Sequence, residues 1–212
     1  MQEIKIKTPK TARIYVSGNI TEKTEEIVIA IHGYAQLGKF FIKKFTPIIS
    51  EKRVVVVPEA LNKFYWNGMK GKVVASWMTK DDRESEIEDY TEYLNKVYEL
   101  IIKDAPANVK ITVLGFSQGT ATSCRWISDN NHSKISRLIL WASAMPKEVF
   151  SEAKLYEHID FTIILGDKDE YISIEELNRH VLELKEEGFN PKSIVYEGNH
   201  TVNLLKNSDL FS

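Results

Sequence analysis

The chain has 212 residues, of which 43% are hydrophobic and 27% charged, and its formal net charge at pH 7 is −2. This length favours one domain with a sizeable core, and the composition is ordinary for a soluble globular protein. This near-neutral charge does not indicate the excess of basic residues that is typical of proteins that bind nucleic acids or anionic membranes. The N-terminus has no apolar signal region and no stretch approaches the ~20 apolar residues of a transmembrane helix, so we expect a cytoplasmic protein without stable membrane insertion.

The single cysteine, Cys124, excludes an intramolecular disulfide, and no Cys/His spacing indicates a zinc site. Cys124 stands shortly after Ser117, on a segment that should form a helix packed against a sheet. We therefore expect it to be a small buried residue and not a reactive thiol. The sequence calls for neither a metal ion nor a cofactor.

Short apolar runs alternate with helical patterns from one end of the chain to the other. The runs predict strands at residues 12–18, 27–31, 53–57, 109–114, 137–141, 161–165 and 193–196. Most runs are continuous and rich in Val and Ile, which is typical of a parallel sheet covered on both faces. The alternation predicts one three-layer α/β domain over residues 1–212, with a mostly parallel central sheet and helices on both faces.

Other segments have helical patterns, and one segment has no clean pattern. A first helix is expected at residues 40–49, and a third opens with a capping box of Ser173 and Glu176 and ends at Gly188. The second has apolar side chains at three- and four-residue steps, namely Ile87, Tyr90, Leu94, Val97 and Ile101. Residues 59–80 carry aromatic residues and methionines without a period, so we interpret them as a connecting excursion and not a separate domain.

The segment Gly115-Phe116-Ser117-Gln118-Gly119 follows the predicted strand 109–114 and precedes a run of small, helix-compatible residues. A serine on such a sharp turn presents its hydroxyl above the sheet edge, where the helix N-terminus supplies oriented N–H groups. The flanking glycines are needed because side chains there would collide with the neighbouring strand or helix. The pentapeptide alone is weak evidence for a nucleophile, because a glycine-bounded turn with an ordinary N-cap serine has the same pattern and is favoured until residues in other loops decide.

Asp169 and His200 each follow a later predicted strand. Because the carboxyl ends of parallel strands lie at one edge of a sheet, we expect both residues to meet Ser117 there. A serine hydroxyl becomes a good nucleophile when an imidazole takes its proton and a buried carboxylate orients the imidazole. The residues alone leave Asp167 and Glu197 as alternative candidates for the carboxylate.

Five segments, in the expected order, make the chain similar to the carboxylesterase, lysophospholipase and acyl-protein thioesterase branch of the α/β-hydrolase family. They are His32-Gly33-Tyr34, Ser76-Trp77, Leu114-Gly115-Phe116-Ser117-Gln118-Gly119, Gly166-Asp167-Lys168-Asp169 and Glu197-Gly198-Asn199-His200. The resemblance implies an α/β-hydrolase fold, with Ser117 as nucleophile, His200 as general base and then acid, and Asp169 as the orienting carboxylate. It also implies that the backbone N–H groups of Tyr34 and Gln118 form the oxyanion hole.

The loop after strand 27–31 departs from the family pattern. Ala35 stands where the family commonly has a second glycine, and alanine would cost about 1–2 kcal/mol if that position requires positive φ. The bulky Tyr34 would narrow the mouth of the pocket.

Aromatic and methionine side chains near the excursion are candidates for an acyl pocket, with simple packing of the excursion onto the domain as the alternative. They are Tyr34, Phe64, Trp66, Trp77, Met78 and Met145. Of the remaining histidines, we expect His132, His158 and His180 to face solvent. His32 is expected to be structural, with substrate contact as its alternative.

The resemblance implies a cofactor-independent serine hydrolase that cleaves carboxylic esters or thioesters of small-molecule substrates through an acyl-enzyme. Carboxylesterase, acyl-protein thioesterase and lysophospholipase activities share this chemistry, and a peptidase would use the same triad. A third class of function is a homologue that binds a ligand without hydrolysing it. Because 212 residues leave no room for a large lid, we expect an open site suited to water-accessible substrates.

Overall fold

A seven-stranded sheet forms the middle layer of the fold. A computed structural model describes residues 1–129 and 132–211. The strands are β1 (Arg13–Ser17), β2 (Glu26–Ile31), β3 (Arg53–Glu59), β4 (Asn62–Tyr65), β5 (Val73–Ser76), β6 (Lys110–Phe116), β7 (Ile135–Trp141), β8 (Asp160–Gly166) and β9 (Lys192–Tyr196). The central sheet has the order β1-β3-β2-β6-β7-β8-β9; β1 is antiparallel to β3 and the other pairs are parallel. The predicted mostly parallel α/β sheet is confirmed.

Helices connect the strands. They are α1 (Gly38–Phe41), α2 (Arg83–Lys103), α3 (Gln118–Asp129) and α4 (Ile174–Glu186), with 3₁₀ helices at Ile42–Ile48, Lys147–Tyr156 and Ser208–Phe211. The helix expected at residues 40–49 is one short α-helical turn that continues as 3₁₀ helix. Pro47 lies inside this segment and lacks the N–H group that an α-helix would use there. The capping box of Ser173 and Glu176 is present at the start of α4.

Two hydrophobic cores cover the two faces of the sheet, because successive strand residues point to opposite sides. The first core contains Leu94 of α2, Trp126 of α3 and Leu184 of α4, together with buried Cys124. The second core is smaller and packs the 3₁₀ helix at Ile42–Ile48 and the C-terminal segment against β3, β6 and β7. This arrangement produces the three predicted layers.

The excursion at residues 59–80 contains the antiparallel hairpin of β4 and β5. Ala35 donates its backbone N–H to the carbonyl of Ala75 (2.9 Å), and Ala75 donates to the carbonyl of Gln36 (3.1 Å). The hairpin is thus hydrogen-bonded to the loop after β2 and holds that loop at the carboxyl edge of the sheet. Within the described residues, no helix is long and apolar enough to cross a bilayer.

Candidate active site

Ser117 occupies the sharp turn between β6 and α3. Its backbone φ is +53°, in the left-handed region that costs a non-glycine residue about 1–2 kcal/mol. Its N–H donates to the carbonyl of Trp141 at 2.9 Å, which ties the turn to the end of β7. A strained conformation of this kind persists only where the surrounding structure holds it.

The two glycines that flank Ser117 permit close backbone packing. A Cβ atom at Gly119 would lie 2.2 Å from the carbonyl oxygen of Ile31, and one at Gly115 would lie 2.6 Å from the carbonyl oxygen of Gly119. Any larger residue would push α3 away from β2 or β6. Side chains at either glycine would therefore collide with neighbouring backbone, as the sequence predicted.

Ser117, His200 and Asp169 form a continuous hydrogen-bonded row. The Nε2 atom of His200 lies 3.0 Å from Oγ of Ser117, and its Nδ1 atom lies 2.8 Å from Oδ2 of Asp169. Because a carboxylate can only accept, Nδ1 carries the proton and donates it to Asp169. The unprotonated Nε2 therefore accepts from the serine hydroxyl.

Asp169 is fixed by its own loop. Its side chain is fully buried, and Oδ1 accepts backbone N–H bonds from Tyr171 (2.9 Å) and Ile172 (3.2 Å). These two bonds leave Oδ2 to face His200. The carboxylate is thus held in one orientation before any substrate binds.

The two alternative carboxylates make other contacts. Oδ1 of Asp167 accepts the backbone N–H of Gly198 at 2.9 Å, so this side chain ties two loops together. Glu197 is exposed and forms ion pairs with Lys168 (3.6 Å) and Lys206 (3.5 Å). The structure brings only Asp169 of the three to the imidazole of His200.

The imidazole of His200 lies between two aromatic rings. Its centroid is 5.0 Å from that of Phe116 and 4.5 Å from that of Tyr171. The backbone N–H of His200 also donates to Glu170 Oε2 at 3.3 Å. Tyr171 was not predicted as a site residue, and its only signal in the sequence is its position two residues after Asp169.

The loop after β2 packs directly against Ser117. A Cβ atom at Gly33 would lie 3.2 Å from Cβ of Ser117, which is closer than ordinary van der Waals contact, so glycine favours this approach. The N–H of Gly33 donates to the side-chain oxygen of Gln36 at 2.9 Å, which closes the loop on itself. Among the residues that the structure describes, neither the Tyr34 nor the Gln118 backbone N–H has a protein acceptor.

The departure at Ala35 has a structural consequence, because its φ is +57°. The loop keeps the left-handed conformation that glycine would adopt freely, at a cost of about 1–2 kcal/mol. The hydrogen bond from Ala35 N–H to Ala75 holds it in place.

His32 is a structural residue. Its ring is completely buried, its Nδ1–H donates to the carbonyl of Gly33 (2.8 Å) and its Nε2 accepts the N–H of Ala60 (3.0 Å). Burial lowers the pKa of His32 to about 4, because the charged imidazolium would lose its hydration. Its own carbonyl accepts the indole N–H of Trp77 at 2.8 Å. These bonds connect the loop after β2 with β3 and with the end of the hairpin.

The side chain of Gln118 joins two of the motif segments. Its Oε1 accepts the backbone N–H of Trp77 (3.1 Å), and its Nε2 donates to Ser76 Oγ (3.1 Å) and to the carbonyl of Met78 (2.9 Å). The residue after Ser117 therefore anchors the end of the hairpin to the start of α3. This explains physically why Ser76-Trp77 accompanies Phe-Ser-Gln-Gly.

The predicted pocket residues separate into two groups. Tyr34, Phe64 and Trp66 form a cluster of rings at the surface, with centroids 5.5–6.4 Å apart. Trp77 and Met145 are 1% and 2% exposed and belong to the first core, which corresponds to the packing interpretation. Met78 is half-buried, with its sulfur 3.5 Å from Nη1 of Arg125.

Two histidines expected to face solvent, His132 and His180, are partly buried, and that expectation is corrected. The ring of His132 packs against Tyr98 and Trp126, and burial lowers the pKa of His132. The side chain of His180 is 11% exposed, and its Nε2 accepts the N–H of Met145 at 2.9 Å. The sequence did not indicate these contacts, because both histidines have polar neighbours and the residues that they contact are distant along the chain. His158 is exposed as expected.

Residues 22–208 match the sequence model of a family described as serine hydrolase (FSH1). The chain belongs to the FSH1 serine hydrolase family. No curated protein is significantly similar in sequence to this family member.

Solved structures share the fold of this FSH1 family member at low sequence identity. Acyl-protein thioesterase 2 of Zea mays superposes with a TM-score of 0.72 at 16% identity, covering 95% of this chain and 96% of the other. The Bacillus cereus carboxylesterase gives 0.66 at 12% identity, with 94% and 92% covered. A phospholipase/carboxylesterase from Dyadobacter fermentans gives 0.64 at 16%, with 95% of both chains covered. The α/β-hydrolase fold implied by the sequence motifs is confirmed.

We expect the Ala35→Gly variant of the FSH1 hydrolase to be more stable than the wild type by about 0.5–1 kcal/mol. Glycine relieves the left-handed strain at φ +57° but adds conformational entropy to the unfolded chain, and the first effect is larger. Urea denaturation measures the difference. The control is Ala107→Gly, at an exposed loop position without positive φ, which should be destabilised by about 0.5–1 kcal/mol. Equal destabilisation of both variants would contradict strain at Ala35.

The lowered pKa of His32 predicts a loss of stability in acid. Between about pH 6.5 and 4, the unfolded chain binds a proton at His32 that the folded protein does not. The unfolding free energy should therefore fall with decreasing pH, by up to about 1.4 kcal/mol per pH unit from this residue, while its contribution is complete above about pH 6.5.

Urea denaturation at about pH 7, 6 and 5 tests this against His32→Gln, whose amide oxygen can accept the Ala60 N–H. The unfolding free energy of the variant should depend less steeply on pH than that of the wild type. The exposed-site control His158→Gln should retain the wild-type slope. Identical pH slopes of the unfolding free energy for His32→Gln and wild type would show that His32 does not cause the loss of stability in acid.

Proposed function

We propose that this FSH1-family hydrolase cleaves carboxylic esters or thioesters through an acyl-enzyme intermediate, with Ser117 as nucleophile. The observation that carries the proposal is the row from Ser117 Oγ through His200 to Asp169, with separations of 3.0 and 2.8 Å. A neutral imidazole with its free nitrogen on the hydroxyl is placed to act as general base.

The reaction proceeds in two halves. Ser117 Oγ attacks the carbonyl carbon while its proton passes to Nε2 of His200, and the imidazolium then protonates the departing oxygen or sulfur. Water attacks the acyl-enzyme, gives its proton to His200, and releases the carboxylic acid as the proton returns to Ser117. Asp169 holds the imidazole in the required tautomer and stabilises its charge during both halves.

The backbone N–H groups of Tyr34 and Gln118 are the proposed oxyanion hole. Gln118 is the first residue of α3, where the positive end of the helix dipole also favours a developing negative charge. The close approach of Gly33 to Ser117 supports Tyr34, the next residue of the loop, as the second donor. Donors that are fixed in advance stabilise the tetrahedral intermediate without reorganisation, and one such donor contributes roughly 10²–10³ in kcat.

The proposal includes leaving groups that depart through oxygen and leaving groups that depart through sulfur. Structural neighbours are named as a thioesterase and as carboxylesterases, and the proton transfers at Ser117 and His200 are the same for either substrate. The imidazole of His200 retains 16% exposure, which agrees with access from solvent. Matched ester, thioester and peptide substrates with the same acyl group would rank these bonds and separate an esterase from a peptidase.

A fluorophosphonate probe should label the wild-type protein, because it captures an activated serine. Labelling should be lost in Ser117→Ala and kept in Ser151→Ala, which removes an exposed serine. Gel fluorescence and intact-protein mass spectrometry measure the adduct. An unlabelled wild type would instead favour a ligand-binding homologue without turnover.

Asp169→Asn should lower kcat for p-nitrophenyl acetate by roughly 10⁴, because the asparagine amide donates to Nδ1 and forces the wrong imidazole tautomer. Asp167→Asn should change kcat far less, since the Asp167 carboxylate accepts the Gly198 backbone N–H and does not contact His200. Circular dichroism checks that both variants are folded. If the Asp167 variant were the more impaired of two folded proteins, the carboxylate would have been assigned to the wrong residue.

A further inference from the structure

The phenol ring of Tyr171 packs on the imidazole of His200 and is largely exposed to solvent. The two ring centroids are 4.5 Å apart, and the ring planes are inclined by 60°. Tyr171 is 76% exposed, whereas Phe116, the second aromatic neighbour of this imidazole, is 3% exposed. Of these two neighbours, only Tyr171 has ring surface that a substrate can contact.

The backbone holds Tyr171 in this place. Its N–H donates to Oδ1 of Asp169 at 2.9 Å, so Tyr171 belongs to the same turn that fixes the carboxylate. Apolar side chains stabilise a fold by leaving water, and a ring that is three-quarters exposed does so only to a small extent. The stability of the fold therefore gains little from this aromatic ring, and most of the ring is available to a ligand.

The proposed reaction brings the leaving group to this part of the site. The acyl carbon–oxygen or carbon–sulfur bond breaks, and the departing atom takes the proton that His200 received from Ser117. For this transfer the departing atom must lie within roughly 2.6–3.2 Å of Nε2, so the next atoms of the leaving group are beside the imidazole ring. A phenol ring centred 4.5 Å from the centre of the imidazole is within van der Waals reach of those atoms.

The charges around His200 favour a neutral leaving group. The backbone N–H of His200 donates to Oε2 of Glu170 at 3.3 Å, and Nζ of Lys44 donates to Oγ1 of Thr201, the next residue, at 2.8 Å. A carboxylate and an ammonium group thus flank the histidine, and together they select neither sign of charge. The imidazole is itself cationic when it protonates the leaving group, so a cationic leaving group would be repelled at that moment.

We propose that Tyr171 contacts the leaving group of the substrate and selects a neutral aromatic one, an alcohol or thiol that carries an aryl ring. This inference rests on the proposed hydrolysis at Ser117. Aromatic rings pair in offset or edge-to-face arrangements with centroids about 4.5–7 Å apart, and the exposed ring of Tyr171 offers a surface for such a pair. An aryl leaving group extends the row of rings formed by Phe116, His200 and Tyr171.

The test compares benzyl acetate with cyclohexylmethyl acetate. Both esters release acetate and a primary alcohol with a six-membered ring, and only the benzyl ring is aromatic. In Tyr171→Leu, the ratio of kcat/KM for the benzyl ester to kcat/KM for the cyclohexylmethyl ester should fall roughly three- to tenfold, because one aromatic pair is lost. Tyr171→Phe keeps the ring and should keep the wild-type ratio. Titration of the released acid at constant pH measures both rates.

The control is Tyr65→Leu, which removes a tyrosine that is 55% exposed. Tyr65 lies in β4, where the alternation of side chains turns it to the face of the hairpin opposite Phe64. This variant should retain the wild-type ratio, and circular dichroism checks that all variants are folded. A fall of the ratio in Tyr65→Leu as large as that in Tyr171→Leu would overturn the inference.

The outcomes separate this inference from the proposed hydrolysis. An equal loss of kcat/KM for both esters in Tyr171→Leu would show that the ring only packs on His200, which would overturn the leaving-group contact and leave the hydrolase proposal intact. A wild type that takes the fluorophosphonate label at Ser117 but cleaves neither ester would also overturn the contact alone. A wild type that neither takes the label nor cleaves either ester would reject the hydrolase proposal and this inference with it.

Discussion

At Ser117 three backbone segments approach one another more closely than side chains would allow. The turn between β6 and α3 contacts the end of β2 through Gly119 and the following loop through Gly33, while its own N–H is bonded to Trp141 at the end of β7. This crowding holds the serine at φ +53°. Since the direction of the hydroxyl follows from the backbone, the positions of the imidazole and of the loop after β2 are defined relative to this turn.

Around the turn, hydrogen bonds connect segments that are distant along the chain. His32 links the loop after β2 to Ala60, Trp77 links the hairpin to His32, and Gln118 links α3 to the hairpin end. Each of these polar groups is satisfied inside the structure, so their burial is tolerated. The loop carrying Ala35 can therefore keep a strained conformation whose cost is offset by the network around it.

The proposed catalytic residues meet at one edge of the sheet. His200 is stacked on Phe116, a member of the second core. Ser117 stands in the turn after β6, and Asp169 is fixed by the backbone of the loop after β8. The proposed proton transfers therefore run between loops that follow three strands of one small α/β protein.

The sequence by itself determined the strand and helix order, because continuous Val/Ile runs and three- to four-residue periods report local backbone structure and burial. It also indicated Ser117 and His200, since each follows a strand whose carboxyl end lies at a shared edge, whereas the choice of Asp169 over Asp167 and Glu197 came from the resemblance to a known family. It did not determine the left-handed φ at Ala35, the partial burial of His132 and His180, or the core positions of Trp77 and Met145. Those depend on how segments far apart in the chain cross in space, and periodicity within a segment carries no information about such crossings.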